Sequence, residues 1–300
     1  MNILVTGGTG FLGSHVADEL SELGHHVVIF DRKTSPYLRP DQVMVTGDIL
    51  NHEIIQPLIE KSDVVYHFAG IADIDECETK PLDTVQVNIQ GTVALLDACY
   101  RANVQRFIFA SSSYVYSDAG HFYRASKQAC ESYIDIYREL YGMNCICLRY
   151  GSLYGPRADA RNSIHRLLTQ AISHKKIEYH GTGNELREFI HVKDAARISA
   201  LILSPEFVNE NIIVTGLEKM SYKQLLSMIT EMLKGDITVN MLPTVRKAHY
   251  TITPYNFSPK LGRKLINNPY IDMGQGLLQC MADIFEKKLP YIPFQQYIDR

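Results

Sequence analysis

Ile3-Leu4-Val5-Thr6-Gly7-Gly8-Thr9-Gly10-Phe11-Leu12-Gly13 is the stretch on which the fold turns. Its first three residues read as a buried strand. The glycines that follow read as a tight turn, and Phe11 to Leu23, with apolar positions at helical spacing, as a helix. A glycine-rich turn between a strand and a helix lets backbone approach a pyrophosphate, while the helix start offers unpaired N–H groups and the favourable end of its dipole. The glycine pattern alone is weak; its place between strand and helix is what gives it meaning.

Val27-Val28-Ile29-Phe30 is a second strand closed by Asp31. A carboxylate at this point can hydrogen-bond ribose hydroxyls and repel a 2′-phosphate, so NAD is expected rather than NADP. Val43-Met44-Val45 forms a third strand. After it, Asp48 is a candidate for the adenine, with capping of a following helix as the plainer alternative. Further strands are expected at 63–68, 106–110 and 145–149, with helices at Val85 to Ala102 and Tyr123 to Leu140. Strand and helix alternating over short connections imply a Rossmann-type α/β fold: a doubly wound parallel sheet with helices on both faces. The nearly continuous apolar strands fit burial on both sides. Beyond Pro156 the rhythm loosens. Helices near 164–174, 193–203, 222–233 and 274–287, between short strands and prolines, suggest a smaller α/β lobe for substrate. The expected division is 1–152 for the dinucleotide domain, with 188–216 returning to it, and 153–300 for the second lobe.

Composition narrows the function. The 300 residues are 46% hydrophobic and 21% charged, a mix able to bury substantial cores. Thirty Lys and Arg face 33 Asp and Glu, a formal charge of -3, which leaves no electrostatic footprint for nucleic acid or an acidic membrane. No apolar run reaches the roughly 18 residues of a membrane span, and only Met1 and Asn2 precede the first strand. Six cysteines without a Cys-x-x-Cys make neither a disulfide framework nor a zinc site. A cytoplasmic protein without a metal is the expectation.

The fifth strand runs into Ser111-Ser112-Ser113, and the next helix opens with Tyr123-Arg124-Ala125-Ser126-Lys127. Tyr and Lys at i and i+4 share a helical face. A neighbouring ammonium favours tyrosinate, so Lys127 is expected to lower the pKa of Tyr123 toward use as a general base. The serine hydroxyl can hold a substrate alcohol against that tyrosine. In a chain with 18 tyrosines one such pair arises by chance, so the weight comes from its position after a strand of a dinucleotide fold, where ligands gather.

These residues resemble the extended short-chain dehydrogenase/reductase family, in its branch acting on nucleotide sugars. The likeness runs through the glycine loop, His67-Phe68-Ala69-Gly70, Val87-Asn88-Ile89-Gln90-Gly91-Thr92 and Ser111-Ser112-Ser113-Tyr114-Val115-Tyr116. It continues in 148–157, in Arg187-Glu188-Phe189-Ile190-His191-Val192-Lys193-Asp194 and in Ser258-Pro259-Lys260-Leu261-Gly262. The resemblance implies NAD bound by Gly7, Gly10, Phe11, Leu12, Gly13, Asp31, Asp48, Ile49, Phe68, Ala69 and Lys127. It implies Tyr123 as base, Lys127 as its partner, Ser112 as the hydroxyl residue, Ser113 beside the substrate, and Arg187 on the diphosphate of a nucleotide sugar. A homodimer through the helices near 85–102 and 123–140 is implied as well.

Departures from the family pattern narrow the activity. Dehydratases of the family usually carry an Asp-Glu pair directly after the hydroxyl residue, and decarboxylases a glutamate at the second of those places; here Ser113-Tyr114 stand there. Ten residues separate Ser112 from Tyr123, where about two dozen are usual, and Ser152 replaces an asparagine. The expected activity is oxidation at C4 of a nucleotide diphospho-sugar, as a 4-epimerase with internal hydride return. A 4-dehydrogenase or 4-ketoreductase is the alternative, and a non-catalytic NAD-binding sensor a more distant one. His121, two residues before Tyr123, is read as a solvent-facing loop residue, with a place facing the substrate as the alternative. Arg161 and Arg166 are read as contacting nucleotide phosphate or lying on a solvated helical face, and Cys145 and Cys147 as core thiols.

Overall fold

The computed structural model describes residues 1–242, 249–254, 263–265 and 269–288. Along the chain come β1 (Asn2–Thr6), α1 (Phe11–Glu22), β2 (His26–Asp31), β3 (Gln42–Thr46), α2 (His52–Ile59) and β4 (Val64–His67). Two short helices follow, α3 (Ile74–Thr79) and α4 (Pro81–Thr84), then a π-helical stretch Val85–Gln90 and α5 (Gly91–Arg101). Next are β5 (Arg106–Ser112), a 3₁₀ turn Ser113–Tyr116, α6 (His121–Tyr141) and β6 (Cys145–Tyr150). Shorter pieces complete the chain: β7 (Ser152–Tyr154), α7 (Ser163–His174), β8 (Lys176–His180), β9 (Leu186–Arg187), β10 (Phe189–His191), α8 (Val192–Leu201), β11 (Asn211–Val214), β12 (Met220–Ser221), α9 (Tyr222–Met232), β13 (Thr238–Leu242), β14 (Arg263–Lys264) and α10 (Met273–Lys288).

Eight strands form one parallel sheet in the order β14-β11-β6-β5-β4-β1-β2-β3. The order reverses between β1 and β4, and such a switch point opens a crevice at the strand C-termini. Every residue of β4 and β6 is buried, as helices on both faces require. On one face α1 and α8 bury Val16, Leu20, Ala195 and Ile198 against the sheet. On the other, α2, α5 and α6 bury Ile55, Leu95, Leu96, Cys130 and Ile134. A separate core, with Leu167, Leu168, Ile177, Leu225, Ile229 and Met281, joins α7, β8, α9 and α10. Among the described residues no helix is long and apolar enough to cross a membrane.

The structure corrects the expectation of one continuous helix over Val85–Ala102. Val85–Gln90 widens into a π-helix before α5 begins. The side chain of Asn88, within that stretch, accepts the Ile71 N–H (2.7 Å) and donates to the Ile71 carbonyl (2.9 Å) and to Ser126 Oγ (3.1 Å). A wide turn of this kind re-aims a side chain without ending a helix. Here it ties the segment after β4 to the helix that carries Tyr123. The Ser258–Gly262 motif lies outside the described residues.

Candidate active site

The turn after β1 is shaped for close approach. Gly7 takes φ +71°, and a Cβ there would stand 2.5 Å from the Ala69 nitrogen; at Gly13 one would stand 2.3 Å from the Gly7 carbonyl oxygen. Phe68 and Ala69 are thereby held against the loop. Helix α1 starts from Gly10 with no side-chain cap and no acidic residue in its first turn, where Phe11, Leu12 and Gly13 lie. Its leading N–H groups and dipole are left for an anion.

Asp31 braces this loop from β2. One carboxylate oxygen accepts the Thr9 N–H (3.1 Å) and the Thr9 hydroxyl (2.7 Å), and the other accepts the Arg32 N–H (2.7 Å). Asp48 accepts the Leu50 N–H at 3.0 Å rather than capping α2, whose N-cap is Asn51. Ile49 beside it is 6% exposed and belongs to the core. A backbone cradle that a Cβ would fill, an uncapped helix start and a carboxylate at the end of β2 fit a dinucleotide without a 2′-phosphate.

Ser112 ends β5, and Tyr123 lies in the first turn of α6; both face the same cavity. Ser112 Oγ also accepts the Tyr114 N–H at 3.3 Å. Lys127, 8% exposed, donates to the Ala110 carbonyl at 2.7 Å; its ammonium is 4.7 Å from the Phe109 ring centre and 5.9 Å from that of Tyr123. The expected lowering of the tyrosine pKa is not what the protein alone produces. Burial pushes Tyr123 up to about 12, with the Ser112 hydroxyl pulling the other way. Lys127 is itself buried, its pKa lowered by desolvation, and its charge is spent on a backbone carbonyl.

Ser112 and Tyr123 line a cavity of about 550 Å³ that also takes in Gly151 and Ser152 at the end of β6. Arg161, Arg166 and Arg187 give it positive charge. Arg187, 6% exposed, stacks its guanidinium 4.3 Å from the Tyr250 ring centre and 5.7 Å from that of Tyr222, and donates to the Leu186 carbonyl at 2.9 Å. Arg161 is paired with Asp159 at 2.6 Å.

Not every expected residue converges here. Ser113 is 2% exposed, its hydroxyl has no hydrogen-bond partner, and it does not line the cavity, because the 3₁₀ turn after β5 directs it inward. His121, exposed at the start of α6, pairs with Glu78 at 2.5 Å instead of facing the cavity. Cys145 and Cys147 are fully buried in β6, as expected of core thiols. Sequence reasoning missed the aromatic wall of the cavity, Tyr114, Tyr179, Tyr222 and Tyr250, together with His249. Of these only Tyr114, two positions past Ser112, carried a signal.

A model of the NAD dependent epimerase/dehydratase family matches residues 3–216. The chain belongs to that family. It is 28% identical to the uncharacterized UDP-glucose epimerase YtcB of Bacillus subtilis, over 77% of this chain and 82% of the relative. It is 27% identical to a dTDP-glucose 4,6-dehydratase of Actinoplanes, over 94% and 97%. Among solved structures, a UDP-glucuronic acid 4-epimerase from Bacillus cereus in complex with UDP-glucuronic acid and NAD superposes with a TM-score of 0.80 at 27% identity. It covers 96% of this chain and 100% of that one. The members are enzymes with NAD as cofactor, as the glycine loop and Asp31 imply for this chain.

Proposed function

We propose that this protein is an NAD-dependent nucleotide-sugar 4-epimerase that returns its hydride internally. The observation that carries the reading is that Ser112 and Tyr123 line the same large cavity, with Lys127 one helical turn beyond Tyr123. Residues 1–152, with 188–216, hold the cofactor, and 153–300 the nucleotide sugar. Bound NAD⁺ supplies the hydride acceptor and, on return, the donor. Ser112 holds the C4 oxygen. Tyr123 takes the hydroxyl proton as C4 becomes a ketone and gives it back when the alcohol re-forms on the opposite face. Lys127 anchors the cofactor ribose and adds positive charge near the phenol. Arg187, with Arg161 and Arg166, meets the diphosphate. The cavity's volume, about 550 Å³, leaves a sugar room to turn between the two transfers.

Dehydration is disfavoured because it needs a further acid and base. The two residues after Ser112 are a buried serine and a tyrosine whose phenol burial holds far above its ordinary pKa. The cysteines among the described residues are free and buried, in keeping with a reducing, cytoplasmic setting. The outer faces of α5 and α6 expose Tyr100, Tyr133, Ile136, Leu140 and Tyr141. A second copy of the chain packed on that face gives a homodimer.

The test is absorbance at 340 nm with substoichiometric enzyme, excess NAD⁺ and a panel of nucleotide sugars, followed by proton NMR of the same tubes. A C4 isomer without net NADH is the expected result. A sustained rise at 340 nm means net oxidation, and the protein is then a 4-dehydrogenase.

A further inference from the structure

Helix α6 begins without the device that usually fixes a first turn, and Tyr123 lies in that turn. Its N-cap is Gly120, which supplies no side-chain acceptor. Gly120 takes φ +90° and His121 φ +36°, so two successive left-handed residues turn the chain into the helix. The bond from the Arg124 N–H to the Gly120 carbonyl (2.9 Å) opens the helical ladder, one residue past Tyr123. A first turn of this kind frays unless side chains hold it.

Two residues of α6 hold it, on the stripe beside Tyr123 and Lys127. Arg124 Nη1 donates to the Ser117 carbonyl at 2.9 Å, and Gln128, one turn on, donates from Nε2 to the Val115 carbonyl at 2.9 Å. Both acceptors belong to the connection between Ser112 and Tyr123. Ser117 is buried, and a charged donor on a carbonyl in such a place makes a strong contact. The other ties are weaker. Asp118 is fully exposed and 3.9 Å from Arg124, and both members of the His121–Glu78 pair are exposed. A Cβ at Gly120 would stand 2.5 Å from Tyr114 Cδ1 and 3.2 Å from Arg124 Cβ, so the connection has no slack on that side.

Resting on Tyr123 as the base of the proposed 4-epimerase, we infer that Arg124 is a positioning residue. With Gln128 it clamps the Ser112–Tyr123 connection onto α6 and so fixes where the base stands relative to Ser112. The backbone sets the path of the ten residues between them. Ser112 leaves β5, the 3₁₀ turn follows, Ser117 Oγ accepts the Ala119 N–H (3.0 Å), and Gly120 reverses the chain. Arg124 and Gln128 close that path, across 7 and 13 positions. Without the closure the first turn of α6 moves apart from β5 and carries the phenol with it, while Ser112 stays with its strand. A reacting group displaced by about 1 Å loses on the order of 10²-fold in rate. Arg124, Gln128, Ser117 and Val115 do not line the cavity. The clamp therefore acts on rate through Tyr123, and the binding of cofactor and sugar nucleotide is set elsewhere.

The experiment compares the wild type with Arg124→Ala, Arg124→Lys and Gln128→Ala, each loaded with NAD and given UDP-glucose. Interconversion at C4 is followed by proton NMR, and amide exchange by mass spectrometry. Arg124→Ala is expected to lower kcat about tenfold or more with KM within about twofold. Amides of 121–126 should exchange faster while the rest of α6 is unchanged. Arg124→Lys should recover most of the loss, because the contact with Ser117 uses a single donor. Gln128→Ala, at an exposed position, should show the same split at smaller size, and it carries the test if Arg124→Ala does not fold. An unchanged kcat in both alanine variants overturns the inference. So does a fall that lysine does not restore, or one matched by a rise in KM. If NADH accumulates in place of an isomer, the 4-epimerase reading fails and the same comparison is made on the rate of NADH formation. If the wild type does no chemistry at C4, that reading fails too and exchange at 121–126 decides. Faster exchange in Arg124→Ala, restored by lysine, upholds the clamp; equal exchange removes it.

Discussion

Tyr123 must give up its proton near neutrality, yet the protein alone holds that proton tightly. Burial pushes the phenol up to about 12, and Ser112 is the neighbour that relieves it. The base therefore depends on positive charge brought close to the hydroxyl, from Lys127 and from the oxidised cofactor, and turnover should rise with pH below the tyrosine's pKa. Tyr123→Phe should lower kcat by about 10²-fold or more while leaving the NAD Kd within about twofold, since the loop at Gly7–Gly13 is untouched. Calorimetry with NAD beside a single-turnover assay checks both halves. The i, i+4 spacing of Tyr123 and Lys127 was legible in the chain, but the direction of the pKa shift was not. It depends on what surrounds each group, and Ala110, which claims the Lys127 ammonium, lies 17 positions away on another element.

At the scale of elements, α6 is held by a buried ion pair. Arg149 of β6 donates from Nε (2.9 Å) and Nη2 (2.8 Å) to the two carboxylate oxygens of Glu131, one turn past Lys127. The side chains are 0% and 2% exposed. Ser111 donates to the same carboxylate at 2.6 Å, and Arg149 also reaches the Tyr116 hydroxyl. The pair thus locks the helix of Tyr123 and Lys127 to β6, and the Ser111 bond ties it to the strand of Ser112. Glu131→Gln leaves the guanidinium without its counter-charge and should cost about 3–5 kcal/mol in unfolding free energy, read by urea denaturation. The alternation of Val27–Phe30, Arg106–Ala110 and Cys145–Arg149 with amphipathic helices made the sheet readable. The π-helical stretch was hidden because Val-Gln-Val-Asn-Ile-Gln contains no breaker, and the bonds that stabilise it run from Asn88 to Ile71 and Ser126. Pro57 masked α2, since a proline near the end of a short helix reads as a stop. Pairings such as β9 with β12 join two-residue strands over thirty positions apart, with no local pattern to announce them.

Across the whole molecule, three histidines are buried in their neutral form. Desolvation lowers His15 to about 4 and His67 and His191 to about 3. The unfolded chain protonates them near pH 6.5, so between that value and the folded pKa the unfolded state binds more protons. Stability is therefore fully present above about pH 6.5 and falls as the pH drops, by up to about 1.4 kcal/mol per pH unit for each histidine. Urea midpoints measured from about pH 7 to pH 5 should decline accordingly. His67→Gln, which can keep bonds to Thr6 and Thr92, should flatten the decline by about a third. The α5–α6 surface predicts a dimer in sedimentation equilibrium, and Ile136→Asp with Leu140→Asp should yield monomers.

The strand order has a consequence for synthesis. β6, buried at every residue, has β5 on one side and β11 on the other, and β11 begins 61 positions after β6 ends. A ribosome making about 5–20 residues per second needs roughly 3–12 seconds to cover that interval. During it the nascent sheet presents an unpaired, apolar strand edge to the cell, the surface on which chaperones and mispairing compete. The strand that closes this edge arrives directly after α8, the helix that packs on α1. Completion of the cofactor-binding layer thus waits on residues translated well after the base and its lysine.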